Sequence, residues 1–281
     1  MSETVATNET VALTAMERVR LARDPARPGT LDYIAGLITN FVELHGDRVF
    51  GDDQALLGGI GTFRGRTVLV LGHQGGTNTR ENIARNFGMP RPEGYRKARR
   101  LMQHAGKFGM PILTFIDTSG ADPGISSEER GQGTAIAESL LEMIGTEVPI
   151  VVTVIGEGGS GGALAISLGD RILMLENAVY SVASPEASAA ILWRDAGRAA
   201  DAAATMRITA ADLERFRMID ELIPEPVPAH LAAQETIQRV GDRIAAHLDD
   251  LTASFAPGDQ ALIERLLNNR HEKFRKIGAW V

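Results

Sequence analysis

Two glycine-rich turns constrain this chain more than any other feature. The segments IDTSGADPG (Ile116 to Gly124) and IGEGGSGGA (Ile155 to Ala163) each follow a short apolar run and open a helix. Backbone amides at a helix start, with no side chains in the way, form a ready site for an anion or an oxyanion. Of the 281 residues 30 are glycine, above ordinary usage, and such clusters mark places where backbone approaches something closely. The turns lie about 40 residues apart, the spacing of adjacent βα units whose ends can face one cleft.

The flanking pattern supports that organisation. Apolar runs at residues 112–116 and 150–155 follow Pro111 and Pro149, and shorter ones sit at 171–175 and 179–182. Helical spacing covers residues 92–108, with Tyr95, Ala98, Leu101, Met102 and Ala105 on one face. It also covers residues 126–144, where Ser126 and Ser127 offer caps. Strands of about five residues alternating with longer helices predict an α/β fold with a largely parallel sheet. Before these units, Thr30 reads as the N-cap of a helix carrying Leu31, Ile34, Leu37, Ile38 and Phe41. Residues 56–71 then read as a hairpin turning at Gly65. Residues 1–12 are polar and expected to be disordered, 13–228 form the main domain, and 229–281 form a helical tail of two helices.

Composition excludes several classes of function. The absence of cysteine removes disulfides, thiol nucleophiles and thiolate metal sites. A net charge of −7 argues against general nucleic-acid binding or an anionic membrane surface. No apolar run is long enough to span a bilayer, and the N-terminus has no secretory character, so a cytoplasmic location is expected. Histidines and carboxylates show no metal-ligand spacing on any one element, and no metal is expected.

The chemistry-bearing residues converge on the turns. In the second turn Gly156, Gly158 and Gly161 match a dinucleotide fingerprint, but the helix that follows is short and no second nucleotide-binding half is present. Gly158, Ser160 and Gly162 match a nucleophile elbow, yet the downstream histidines His230, His247 and His271 all lie in the tail. Asp117, Asp122 and Glu157 are candidate general bases, and His73 is the one histidine at a strand end. A basic stretch from Arg80 to Lys107 includes Arg96, Lys97 and Arg100, and suits a polyanion such as the phosphates of coenzyme A.

Longer strings are more discriminating. NFGMPRPEGYRKARRLM (Asn86 to Met102), FIDTSGADPG, EERGQ (Glu128 to Gln132), VTVIGEGGSGGALAI (Val152 to Ile166) and YSVASPEASAAILW (Tyr180 to Trp193) occur in order. Together they resemble the carboxyltransferase α subunit of bacterial multi-subunit acetyl-CoA carboxylase. The resemblance spans Leu31 to Pro226 and implies a crotonase-like superhelix of ββα units. It further implies carboxyl transfer from carboxybiotin, borne on a separate biotin carboxyl carrier protein, to acetyl-CoA, giving malonyl-CoA. A zinc-ribbon-bearing β subunit would complete the site in an α2β2 assembly. By the same resemblance Gly161 and Gly162, with Gly120 and Ala121, are the catalytic backbone. Gly158, Gly159, Ser160 and Gly124 shape the biotin site, and the basic cluster makes Arg96, Lys97 and Arg100 the expected acyl-CoA contacts.

The chain departs from the family pattern at three places. Gly75 and Thr77 stand where the family commonly has lysine and arginine, Ser119 and Asp122 where it has proline and tyrosine, and Ala187 and Ser188 where it has glycine and cysteine. An aspartate facing an anionic carboxybiotin is unfavourable, so Asp122 either points away or marks altered chemistry.

Overall fold

A computed structural model describes residues 13–278; the polar segment 1–12 lies outside the described residues. Eight strands form one sheet: β1 (Ile38–Glu43), β2 (Leu56–Phe63), β3 (Arg66–His73), β4 (Ile112–Thr118), β5 (Ile150–Gly159), β6 (Arg171–Leu175), β7 (Val179–Ser181) and β8 (Glu221–Ile223). Their order is β1-β2-β3-β4-β5-β6-β8, with β7 paired to the far end of β5. β1, β2 and β3 are antiparallel, and every pairing from β3 onward is parallel. The central strands are buried along their length, which is why they read as continuous apolar runs.

Among the described residues twelve α-helices surround the sheet. The N-terminal pair is α1 (Ala15–Ala22) and α2 (Thr30–Leu37), and α3 (Thr79–Ala84) and α4 (Pro92–Phe108) follow β3. Between β4 and β5 lie α5 (Ile125–Glu129) and α6 (Gln132–Gly145). The short α7 (Ser160–Leu164) leaves β5, and α8 (Pro185–Trp193), α9 (Ala199–Met206) and α10 (Ala210–Arg215) fill the connection to β8. The chain ends with α11 (Ala233–Ala253) and α12 (Gln260–Arg275). None of these helices is long and apolar enough to cross a membrane.

Helix α4 forms where its apolar stripe predicts, with Pro92 at its first turn and Gly109 closing it at φ +66°. The helix expected over 126–144 is instead two, because Gly131 adopts φ +81° between them. The helix expected to reach Phe41 stops at Leu37. Gly29, not Thr30, is its N-cap, and Ile38 and Phe41 belong to β1. Those two side chains lie over Gly61 and Gly59 of β2, where an added Cβ would sit 2.3 and 2.5 Å from them. An apparent helical period is thus a short helix followed by a strand whose apolar residues land on glycines.

The two C-terminal helices are integral to the core. Ile237, Val240, Ile244 and Leu248 of α11 belong to the same buried cluster as the sheet, and α11 packs against α2. The α12 residue Arg270 is fully buried. It pairs with Asp170 at 2.8 Å and donates to the carbonyls of Met143, Thr146 and Val148. Every donor of that guanidinium therefore has a use inside the protein.

Candidate functional site

The site begins as a break in register. β4 and β5 pair residue for residue up to Ile116 opposite Val154, and the next pair is Thr118 opposite Gly158. One strand advances two residues while the other advances four, a bulge that bends β5 away from β6 and onto β7. Backbone groups freed by a bulge must find other partners when buried. Arg27 donates Nε–H to the Ile155 carbonyl, and Asp117 Oδ1 accepts the Glu157 amide at 3.0 Å. The Asp117 amide in turn donates to His73 Nδ1 at 3.4 Å.

Arg27 is itself locked by Glu225 through two bonds of 2.7 and 3.0 Å, with both side chains almost wholly buried. Glu225 also accepts the amides of Asn177 and Ala229. Burial alone would push the Glu225 carboxyl up, but these partners hold it below its ordinary range. Neither Arg27 nor Glu225 stands out in the sequence. A pair 198 residues apart becomes visible only when the chain folds.

Beyond the bulge the two glycine turns touch. A Cβ at Gly159 would lie 2.1 Å from the Ser119 carbonyl oxygen, and one at Gly162 would lie 2.4 Å from the Ala121 nitrogen. Real Cβ atoms do not approach backbone that closely, so these glycines are what lets the turns meet. Gly120, at φ +153°, is fixed by Thr118, whose hydroxyl both donates to the Gly120 carbonyl and accepts its amide. Ser160 takes a left-handed conformation, φ +53°, which turns the chain sharply from β5 into α7. By position the first amides of α7, including Gly161 and Gly162, have no partner within their own helix. Gly120, Ala121, Gly161 and Gly162 thereby gather at one point, and Gly158 is covered by the Tyr180 ring.

Two depressions flank this point. One is a mostly apolar groove of about 480 Å³ beside Gly161, lined by Leu164, Tyr180, Val182, Ile208, Leu213 and Met218 among others. The other, about 190 Å³, is polar and lined by Arg23, Asp117, Ser119, Glu157 and Phe87. Arg23 grips Glu157 with bonds of 3.0 and 2.7 Å, and Asn86, Phe87 and Gly88 at its edge are all left-handed.

The candidate bases are engaged elsewhere. Glu157 is held by Arg23. Asp122 accepts from the Ser127 hydroxyl and the Gly124 amide, so its carboxylate staples its own loop. Asp117 lies against the bulge, and burial pushes its carboxyl up to about 6. Burial also drives the His73 imidazole down to about 4, so it is neutral near pH 7. Among the described residues no hydrogen bond links Ser160 to a histidine; His247 is paired with Glu221, and His73 Nε2 lies 3.3 Å from the Gly162 carbonyl. The arrangement holds no nucleophilic dyad.

The basic stretch needs correction. Lys97 is fully buried, with its ammonium on Asp52 at 2.6 Å and the Asp53 carbonyl at 2.8 Å, so it cannot meet a phosphate at the surface. Arg96 bonds Asp47 and Glu93, and Arg100 bonds the carbonyls of His45 and Gly46. These cations hold α4 to the loop before β2.

Comparison with known proteins decides the family. The model of the family described as acetyl co-enzyme A carboxylase carboxyltransferase-like matches residues 2–278. The chain belongs to this family. It is 54% identical over 270 residues to the acetyl-coenzyme A carboxylase carboxyl transferase subunit alpha of Synechococcus elongatus, covering 96% of this chain and 80% of that one. The Anoxybacillus flavithermus protein of the same name is 55% identical, over 96% of this chain and 81% of its own. Among solved structures, the transcarboxylase 12S core superposes with a TM-score of 0.66 over 92% of this chain and 49% of that chain. At 17% identity that likeness speaks to the fold alone, which is the crotonase-like one.

Proposed function

We propose that the touching glycine turns are one half of a carboxyltransferase site, making this chain an α subunit that transfers the carboxyl group of carboxybiotin to acetyl-CoA. The product, malonyl-CoA, feeds fatty-acid synthesis. The observation that carries the reading is the packing of Gly162 on the Ala121 amide, which brings four backbone positions together where no side chain intrudes.

The residues present fit the cofactor. The Gly161 and Gly162 amides can donate to the ureido oxygen of biotin, and the apolar groove beside Gly161 suits its sulfur-containing ring and alkyl arm. When bound, carboxybiotin supplies both the carboxyl group and, after that group leaves, the ring nitrogen that accepts the acetyl proton. The Gly161 and Gly162 amides would stabilise the negative charge left on the ureido oxygen as the carboxyl group departs, as fixed dipoles that need no reorganisation. One such donor contributes about 10²- to 10³-fold in rate. This division of labour also accounts for the engaged carboxylates, since the chain has no need to supply its own base.

The thioester needs an equivalent pocket, and a β subunit is the partner that would bring it. A biotinyl carrier delivers the cofactor, and an α2β2 assembly is the arrangement we expect. Hydration or isomerisation of an acyl-CoA is the competing reading on this fold, but it calls for a free acid or base beside the glycines. The deciding experiment offers the complex reconstituted with its β partner a carboxylated carrier and either acetyl-CoA or propionyl-CoA. Malonyl-CoA as the main product supports the proposal. Product from propionyl-CoA alone, or acyl-CoA chemistry without biotin, overturns it.

A further inference from the structure

One buried group lies between the two turns, is contacted by both, and takes no part in the chemistry above. His73 ends β3, is wholly buried, and belongs to neither turn. Its Nδ1 faces the Asp117 amide at 3.4 Å, at the end of the strand that leads into the first turn. Its Nε2 faces the Gly162 carbonyl at 3.3 Å, inside the second. The Phe115 carbonyl also lies against the ring, and the tautomer that serves both turns is the one in which Nδ1 accepts the Asp117 amide and Nε2–H donates to Gly162.

Both backbone groups need this ring. The bulge breaks the register of β4 and β5 at Asp117. The Gly162 carbonyl would ordinarily accept from the amide four residues on, but the Ile166 amide turns to the Ala163 carbonyl instead. A hydrocarbon side chain would fill the space and leave a buried donor and a buried acceptor unpaired. A rigid ring with one acceptor and one donor on opposite sides meets both needs and sets the distance between them.

We propose that His73 is a positioning residue: by holding the Gly162 carbonyl from the strand next to β4, it fixes the pitch of α7 and the aim of the Gly161 and Gly162 amides. The inference rests on the carboxyltransferase reading above. It assigns His73 no contact with substrate or cofactor and no proton transfer.

Two polar substitutions separate this role from simple packing. In His73→Gln the amide nitrogen reaches toward the Nε2 position and can still donate to Gly162. In His73→Asn the shorter side chain can serve Asp117 but falls short of Gly162. Each variant is assembled with the wild-type β partner, and malonyl-CoA-dependent carboxylation of biotin is measured alongside the fraction folded by circular dichroism. His73→Asn should lower kcat per folded complex about 10- to 100-fold, with KM for malonyl-CoA within about twofold of wild type. His73→Gln should recover kcat to within about threefold of wild type. In the chain without its partner, nitrogen-15 NMR of the imidazole at pH 7 should show a bare Nδ1 and a protonated Nε2.

Equal turnover by the asparagine and glutamine variants overturns the proposal, as does a kcat loss that merely follows the folded fraction. A protonated Nδ1 also overturns it. A wild-type complex with no exchange activity would sink the reaction itself. That result is distinct from an active wild type matched by His73→Asn, which would sink only the positioning role.

Discussion

Gly161 and Gly162 stand side by side, yet an added methyl group should affect them very differently. At Gly162 a Cβ would lie 2.4 Å from the Ala121 nitrogen and 2.5 Å from the Gly120 carbonyl carbon, both backbone atoms. At Gly161 its nearest neighbours would be the Ile136 side-chain atoms at 3.8 and 3.9 Å, an ordinary contact. Relieving the first clash requires the turns to part by about 1 Å, and displacement on that scale can cost about 100-fold in rate when geometry carries the catalysis. Overpacking of this kind also destabilises by about 1–3 kcal/mol, roughly 2–12 °C in melting temperature for a chain of this size. Gly162→Ala, assembled with the β partner, should therefore lose at least about 100-fold in kcat while remaining folded. Gly161→Ala should keep the wild-type melting temperature to within about 2 °C, since its methyl makes only an ordinary contact with Ile136, and any loss of its turnover should appear in KM for biotin, because Gly161 lines the apolar groove. The assay is carboxylation of free biotin by malonyl-CoA, paired with a thermal melt of each variant. Wild-type turnover by Gly162→Ala would refute the claim that contact between the turns sets the site.

Three other perturbations follow from the same geometry. Glu225→Ala strands the buried Arg27 guanidinium and should cost about 3–5 kcal/mol in a urea titration, whereas Arg27→Met with Glu225→Leu should recover much of it. A loss under about 1 kcal/mol for the single variant would show that the pair does not brace the bulge. Lys97→Met should lower stability by about 1–3 kcal/mol, because the buried Asp53 carbonyl loses its donor while Asp52 stays partly exposed, with KM for malonyl-CoA unchanged; a tenfold rise in KM at unaltered stability would restore it as a substrate contact. The third concerns acid. His73, neutral in the fold down to about pH 4, makes stability rise with pH between about 4 and its unfolded value of 6.5, because only the unfolded chain holds that proton. Asp117, raised from 3.8 to about 6, acts in the opposite sense, since there the folded chain holds the extra proton. The two slopes offset each other across pH 4–6. Relative to wild type, His73→Gln should lose stability as pH rises through that window, by about 1.4 kcal/mol per pH unit at most. Parallel urea midpoints at pH 4.5 and 5.5 would contradict this.

Much of the candidate site's geometry is legible in the sequence because its parts are local. Glycine turns after apolar runs can be read along the chain, and so can α4, whose stripe, proline and closing glycine agree. His73 stood out as a strand-end histidine, although nothing local showed what it spans. What escaped reading was non-local. The bulge in β5 exists only against β4, and the Arg27–Glu225 pair joins the segment before α2 to the segment after β8. The basic run misled for a related reason. Charges in sequence do not reveal whether acidic partners wait on another loop, and Asp47 and Asp52 do for Arg96 and Lys97. Asp122 likewise reads as an intruding charge until the Ser127 hydroxyl is seen to donate to it within the same loop.

If this chain supplies half of a carboxyltransferase site, a β subunit must supply the rest before any turnover is seen. The deciding measurement is malonyl-CoA/biotin exchange with the chain alone, with a carboxyltransferase β subunit alone, and with both. Exchange only when both are present is the predicted result. Turnover by this chain alone, or silence from a stably formed complex, would contradict it.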